Sequence, residues 1–357
     1  MKLFTCQNCG NVIYFENTRC ESCGARLGFD PAPKQVVALK PEGDALISMQ
    51  GEHAHLRFCA NAAHEACNWL VLEQGETLCR ACRYNMTVPD LSLSENVRRW
   101  RLIELAKHRL VYSLLELGLQ APNRHDDPQA GLGFAFLADD AQGGTPHVMT
   151  GHEDGLITLA LREADDAERT SLRQAMGEPY RTLLGHFRHE TGHYFWDSLV
   201  RDGGKLEPCR AVFGDDRDDY QAALQRHYAQ GAPEGWQERF ISAYATSHPW
   251  EDFAETWAHY LHIVDTLETA VAFGIRVHPR VPHPAQMDAE LECSPYRVKS
   301  ARALVDGWLP LTYAVNNLNR SMGQPDLYPF VLSPGVLAKL EFIHALVHDR
   351  DEPAGTA

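Results

Sequence analysis

The chain has 357 residues, 44% apolar and 23% charged, enough to bury a core in one large domain with a small one, or in two ordinary domains. Its net charge of −15 disfavours a generic binder of nucleic acid or anionic membrane, which needs clustered Lys and Arg. The N-terminus, MKLFTCQNCGN, lacks an apolar run of signal-peptide length, and no stretch approaches the roughly 18 consecutive apolar residues of a membrane span, so a cytoplasmic location is expected.

Eight of the ten cysteines precede residue 83 and fall in close pairs, a pattern that reads as metal binding in a reducing compartment. Cys6-x-x-Cys9 and Cys20-x-x-Cys23 are each followed by glycine, Gly10 and Gly24, and form two knuckles that complete one closed Cys₄ site. FDPAPKQVV then reads as a connector, giving a first zinc-binding module over residues 1–30. Cys59, Cys67, Cys79 and Cys82 form the second expected set, in a module over residues 31–92, with His64 as a possible replacement for one cysteine and an interleaved pairing left open. Zinc is favoured over iron, although four thiolates suit both. Residues 1–92 carry 8 Lys/Arg against 10 Asp/Glu, which argues against phosphate contacts and for holding a small fold together or docking a protein partner.

A helix is expected from Ser92 to about Gly118, with Glu95 closing a capping box and Ile103, Ala106, Leu110 and Leu114 recurring at helical spacing. GFAFLA near residue 135 and GLITLAL over 155–161 read as strands, the second either an edge that pairs with an extended peptide or a plain core strand. Ala164 to Gly177 looks like an acidic approach to a helix with Pro179 in its first turn. That helix presents Leu184, Phe187, Thr191 and Phe195 on one face and stops at Gly203-Gly204. Residues 215–229 read as helical, and Ser247-His248-Pro249 opens a long helix to about Phe273. The Pro-rich VHPRVPHPAQ follows, then helices near 300–322 and 333–349.

Within the Pro179 helix stands His189-Glu190-Thr191-Gly192-His193. Positions i and i+4 share a helix face, so both imidazoles reach one metal, and Glu190 stands beside it as a candidate general base. Two histidines leave a tetrahedral zinc short of one protein ligand and one water. His186, three residues before His189, is read either as a further member of this face or as a surface or supporting histidine.

On the later helix, Glu251, Glu255, His259 and His262 are spaced 4, 4 and 3, and Phe253, Trp257, Tyr260 and Leu261 supply apolar contacts around the rest. Acids on such a helix are costly to bury unless paired or metal-bound. Glu251 is the choice for third ligand, with Glu255 and His259 supporting; a solvated acidic face, or a metal on Glu255 or His259, are the competing readings. Tyr244 and His248 precede the helix and are candidates to stabilise an oxyanion. Cys209 and Cys293 read as ordinary thiols.

With CQNCG, CESCG, CANAAHEACNW…LCRAC, FRHETGHYFWD and SHPWEDFAETWAHYLHI in view, nearly the whole chain resembles a bacterial family of zinc metallopeptidases with an N-terminal zinc ribbon. The resemblance implies a mainly helical, zincin-like α+β domain over residues 93–357 behind the two small zinc modules. It also implies His189 and His193 as ligands, Glu190 as base and Glu251 as third ligand. The HExxH-plus-Glu grouping also resembles gluzincins, although Glu251 lies 58 residues after His193, farther than in their compact members. The expected activity is zinc-assisted hydrolysis of an amide bond in a peptide or protein, with one catalytic and two structural zinc ions. The rivals are a non-catalytic zinc adaptor docking partners through its ribbons, and an enzyme acting on a non-peptide amide.

Overall fold

The computed structural model describes residues 2–43, 45–49, 56–139, 148, 150–165, 182–281, 287–290 and 294–348. Packing divides the chain into two compact units, residues 1–169 and 170–357.

In the first unit, short strands β1 (Phe4–Thr5) and β2 (Val12–Ile13) pair across the first cysteine knuckle. In both knuckles the glycine after the C-x-x-C returns its N–H to the first cysteine's carbonyl, Gly10 to Cys6 and Gly24 to Cys20, each at 2.8 Å. Both glycines have positive φ (75° and 74°), a conformation that disfavours any side chain. Strands β3 (Arg26–Asp30), β4 (Gln35–Glu42) and β5 (Ala45–Ser48) form an antiparallel meander. Beside it lies the pair β6 (Arg57–Phe58) and β7 (Leu70–Val71). Val37, Leu39, Leu56 and Leu70 close a small apolar core there.

After β8 (Asn85–Thr87), helix α1 runs over Ser94–Glu116 and buries Ile103, Ala106, Leu110 and Leu114. The expected capping box does not form: Leu93 is the N-cap, and Glu95 pairs with Arg98 at 2.8 Å instead. Asp90 displaces it, because its carboxylate accepts the Ser92 N–H and turns the chain into the helix by another route. Strands β9 (Gly133–Leu137), β10 (Gly151–Glu153) and β11 (Leu156–Ala160) complete a sheet of order β10-β11-β9-β8. Of the two readings of β11 the structure bears out the inner strand: β9 pairs along its whole length and β10 over Leu156–Thr158.

The second unit is built on helices. Helix α2 (Leu183–Phe195) is capped by Thr182, whose hydroxyl accepts the Gly185 N–H, and runs on into a π-helical turn at Trp196–Arg201. Pro179 and the acidic approach from residue 166 lie outside the described residues. Helices α3 (Leu206–Phe213) and α4 (Tyr220–Gln230) follow, then α5 (Pro249–Ala272). The two-residue strands β12 (Arg276–Val277) and β13 (Ala289–Glu290) pair, and α6 (Ala301–Ser321) and α7 (Pro334–His348) close the unit.

Helix α5 is buried on most of its surface, with Phe253, Trp257 and Leu261 fully enclosed. The charges it buries are paired: Lys339 of α7 holds Asp252 at 2.5 Å, and Arg188 of α2 bonds Asp265 and His262. Phe187 and Phe195 of α2 are buried too, and each such side chain contributes about 1.5–3 kcal/mol. No helix among the described residues is long and apolar enough to cross a membrane.

Candidate active site

Helices α2 and α5 pack antiparallel, so His193 lies opposite Glu251 and His189 opposite Glu255. His189 and His193 stand one helical turn apart with ring centroids separated by 4.9 Å, edge to face. Glu251 arrives in the first turn of α5, where a carboxylate is favoured by the exposed N–H groups and helix dipole. Its Oε2 lies 3.0 Å from His189 Nε2 and 3.5 Å from His193 Nε2.

Those separations have a chemical meaning. Glu251 is 2% exposed, and its Oε2 is buried without a hydrogen-bond partner among the described residues. The Nδ1–H of His189 is committed to Glu255 Oε1 at 2.7 Å, which turns the Nε2 lone pair toward Glu251. A lone pair and a carboxylate oxygen that face each other at 3 Å repel unless a proton or a metal ion lies between them, and Glu251 and Glu255 both raise the affinity of the His189 imidazole for a positive charge. A tetrahedral zinc with bonds of about 2.0–2.2 Å separates its donor atoms by about 3.3 Å, so the three atoms fit that ion.

The surrounding groups hold this arrangement. Ser242 donates to Glu255 Oε2 at 2.5 Å, fixing the carboxylate that orients His189. Trp250 lies against the His193 ring at 3.7 Å. Tyr220, at the start of α4, donates to Glu251 Oε1 at 2.6 Å. Glu190 is 6% exposed, and the Nε2–H of His186 donates to its Oε1 at 3.1 Å. Burial raises the Glu190 carboxyl, but the His186 bond and the neighbouring imidazoles outweigh it and hold the group below its ordinary range.

Other expected residues take different places. Tyr244 is beside the centre, its ring 5.9 Å from that of His189. His248, expected near the reacting carbonyl, is instead the N-cap of α5: Nδ1 accepts the Trp250 N–H, and Nε2–H donates to the Asp218 carbonyl at 3.0 Å. Both ring nitrogens are thereby occupied. His259 bonds Tyr328 and His262 bonds Arg188, because their positions lie about 12 and 16 Å along α5 from Glu251. Burial holds the His259 imidazole down to about 4, in keeping with a neutral side chain. Cys209 is a buried thiol pushed up to about 12 by desolvation, and Cys293 lies outside the described residues.

In the first unit the cysteines gather sequentially, Cys6, Cys9, Cys20 and Cys23 in one group and Cys59, Cys67, Cys79 and Cys82 in another. Sulfur separations of 3.6–3.7 Å are too long for a disulfide and match the roughly 3.8 Å between thiolates on a tetrahedral zinc. The first group has two exposed cysteines, whereas all four of the second are buried. His64 stands against Trp100 and is not in the second group. Instead α1 brings His108, whose Nε2 is 3.2 Å from Cys67 Sγ, and a buried Glu104–Lys107 pair against it.

Tyr220, Ser242 and His108 were not singled out by the sequence. Each comes from a segment remote from the residue it serves, and no spacing rule links them. For Tyr220 the only local sign is Asp219, a good helix cap that fixes where α4 begins.

Comparison with known proteins divides the chain near residue 95 rather than near residue 170. A family model described as "putative zinc-binding metallo-peptidase" matches residues 96–346, and a zinc-ribbon model matches residues 3–93. Proteins described as uncharacterized, from Mycobacterium bovis and from two strains of Mycobacterium tuberculosis, are 41% identical over 351 residues, 98% of this chain and 96% of theirs. No solved structure matches.

Proposed function

Because the chain belongs to this zinc-binding metallopeptidase family, we propose that its second unit hydrolyses amide bonds of peptides or proteins at a zinc held by His189, His193 and Glu251, with Glu190 as general base. The observation that carries the reading is the buried, unbonded Glu251 Oε2 facing two imidazole nitrogens, with an ionised glutamate one residue from the first of them. A purely structural metal site has no need of that glutamate. The cysteine groups of the first unit would hold two further, structural zinc ions.

Zinc at this position supplies Lewis acidity to polarise the scissile carbonyl and to acidify water. Glu190 then removes a proton from the attacking water. His186 occupies Oε1, which leaves Oε2 to receive that proton. As the carbon–nitrogen bond breaks, Glu190 delivers the proton to the leaving amine. Glu255 keeps the His189 ring in one orientation throughout, and Tyr244, whose ring lies 5.9 Å from that of His189, is the candidate donor to the developing oxyanion.

The test is hydrolysis of a mixed peptide library by the full-length zinc-loaded protein and by Glu190→Gln. The reading expects cleavage by the wild type and a loss of at least about 100-fold in the variant, with zinc content unchanged. Equal cleavage by both would remove Glu190 from the mechanism. A wild type that binds three zinc ions and cleaves no peptide would favour a non-peptide amide or a non-catalytic adaptor.

A further inference from the structure

Glu251 is held from both ends. Its Oε2 faces the two imidazoles, while its Oε1 receives the phenol hydroxyl of Tyr220 at 2.6 Å. A carboxylate free at both oxygens can bind a cation through one or two of them. Here one is already committed to a donor that a cation would have to displace. A phenol carries its proton at neutral pH and a carboxylate can only accept, so Tyr220 is the donor of this bond.

The phenol is aimed by its surroundings. Its ring meets Trp250 edge-on at 5.7 Å and His248 edge-on at 5.3 Å. His248 ties the two helix starts together: Nδ1 caps α5, and Nε2–H bonds the carbonyl of Asp218, two residues before Tyr220. Asp219 then caps α4 by accepting the Ala222 N–H. The segment entering α4 is thus pinned to the segment entering α5, and the first residue of α4 points at the first-turn glutamate of α5.

We infer that Tyr220 is a positioning residue of the metal centre, restricting Glu251 to a single-oxygen bond and keeping the metal four-coordinate with one position left for substrate or water. The inference rests on the ligand set proposed above. Outer contacts of this kind typically contribute about 10–100-fold in metal affinity.

The experiment titrates zinc per chain against buffered free zinc in full-length wild type, Tyr220→Phe and Glu251→Ala. Tyr220→Phe keeps the ring and its aromatic contacts and removes only the donor. The expected result is a third zinc in Tyr220→Phe that is lost at about 10–100-fold higher free zinc than in wild type, and no third zinc in Glu251→Ala. With cobalt at this site and zinc on the cysteines, Tyr220→Phe should show weaker visible absorption, because a released Oε1 raises the coordination number above four. A purely structural Tyr220 would leave that spectrum unmoved. If Glu251→Ala removes the third zinc while Tyr220→Phe retains wild-type affinity and cobalt spectrum, the role of Tyr220 is overturned and the ligand set stands. If Glu251→Ala keeps the third zinc, the ligand set itself fails.

Discussion

Gly192 of α2 lies so close to Ala254 of α5 that a Cβ added to it would stand 2.8 Å from the Ala254 Cα. This contact sets the separation of the two helices that carry the candidate metal centre. Gly192 lies between His189 and His193, and Ala254 between Glu251 and Glu255, so the histidines meet the glutamates only because the backbones come this near.

Gly192→Ala is therefore expected to push α2 and α5 apart. The Ala254 Cα belongs to the backbone and cannot rotate away, so overpacking should cost about 1–3 kcal/mol in denaturant unfolding. The same variant should bind the third zinc more weakly while keeping the two at the cysteine groups. Unchanged stability and zinc affinity would show that the helices can separate without cost.

Glu255→Gln tests the orientation of His189. The acid accepts the His189 Nδ1–H at 2.7 Å and is itself held by Ser242. Zinc affinity at the third site should fall about 10–100-fold. Ser242→Ala should give a smaller loss in the same titration, because Glu255 Oε1 still holds the imidazole.

His248→Asn separates two duties of one side chain. Asparagine is a good N-cap, so α5 should keep its start. The bond to the Asp218 carbonyl is lost, however, and with it the link that aims Tyr220. Circular dichroism should be unchanged while the third zinc is held more weakly than in wild type. A direct role of His248 in the chemistry would instead lower turnover with zinc affinity intact.

The two cysteine groups should differ in lability. Cys9 and Cys23 are exposed, so a reagent in solution reaches their sulfurs directly. Cys59, Cys67, Cys79 and Cys82 are all buried. A thiol-reactive reagent should release the first group's zinc before the second's, in two resolved phases that the Cys23→Ser variant identifies. Simultaneous release would contradict the difference.

What the sequence made legible is what local spacing encodes. Residues four apart on a helix share a face, so the proximity of His189 to His193 and of Glu251 to Glu255 could be read directly. The C-x-x-C-G knuckles encode their own turns in the same way. What it hid depends on approach through space. Tyr220 and Glu251 are 31 residues apart, and only the docking of α4 on the start of α5 joins them. In the sequence His248 is a candidate to stabilise an oxyanion, and its role as a cap emerges only when both nitrogens are traced to the backbone. His262 shares the Glu251 side of α5 but meets Arg188, because an antiparallel partner helix presents a different residue at every turn.

The central claim is that His189, His193 and Glu251 hold a metal ion. The most direct measurement is the zinc content of full-length wild type beside His193→Ala. The account predicts three zinc ions per chain in the wild type and two in the variant, with the cysteine-bound pair retained. Three in both would contradict it and leave the convergence of those three donor atoms without a role.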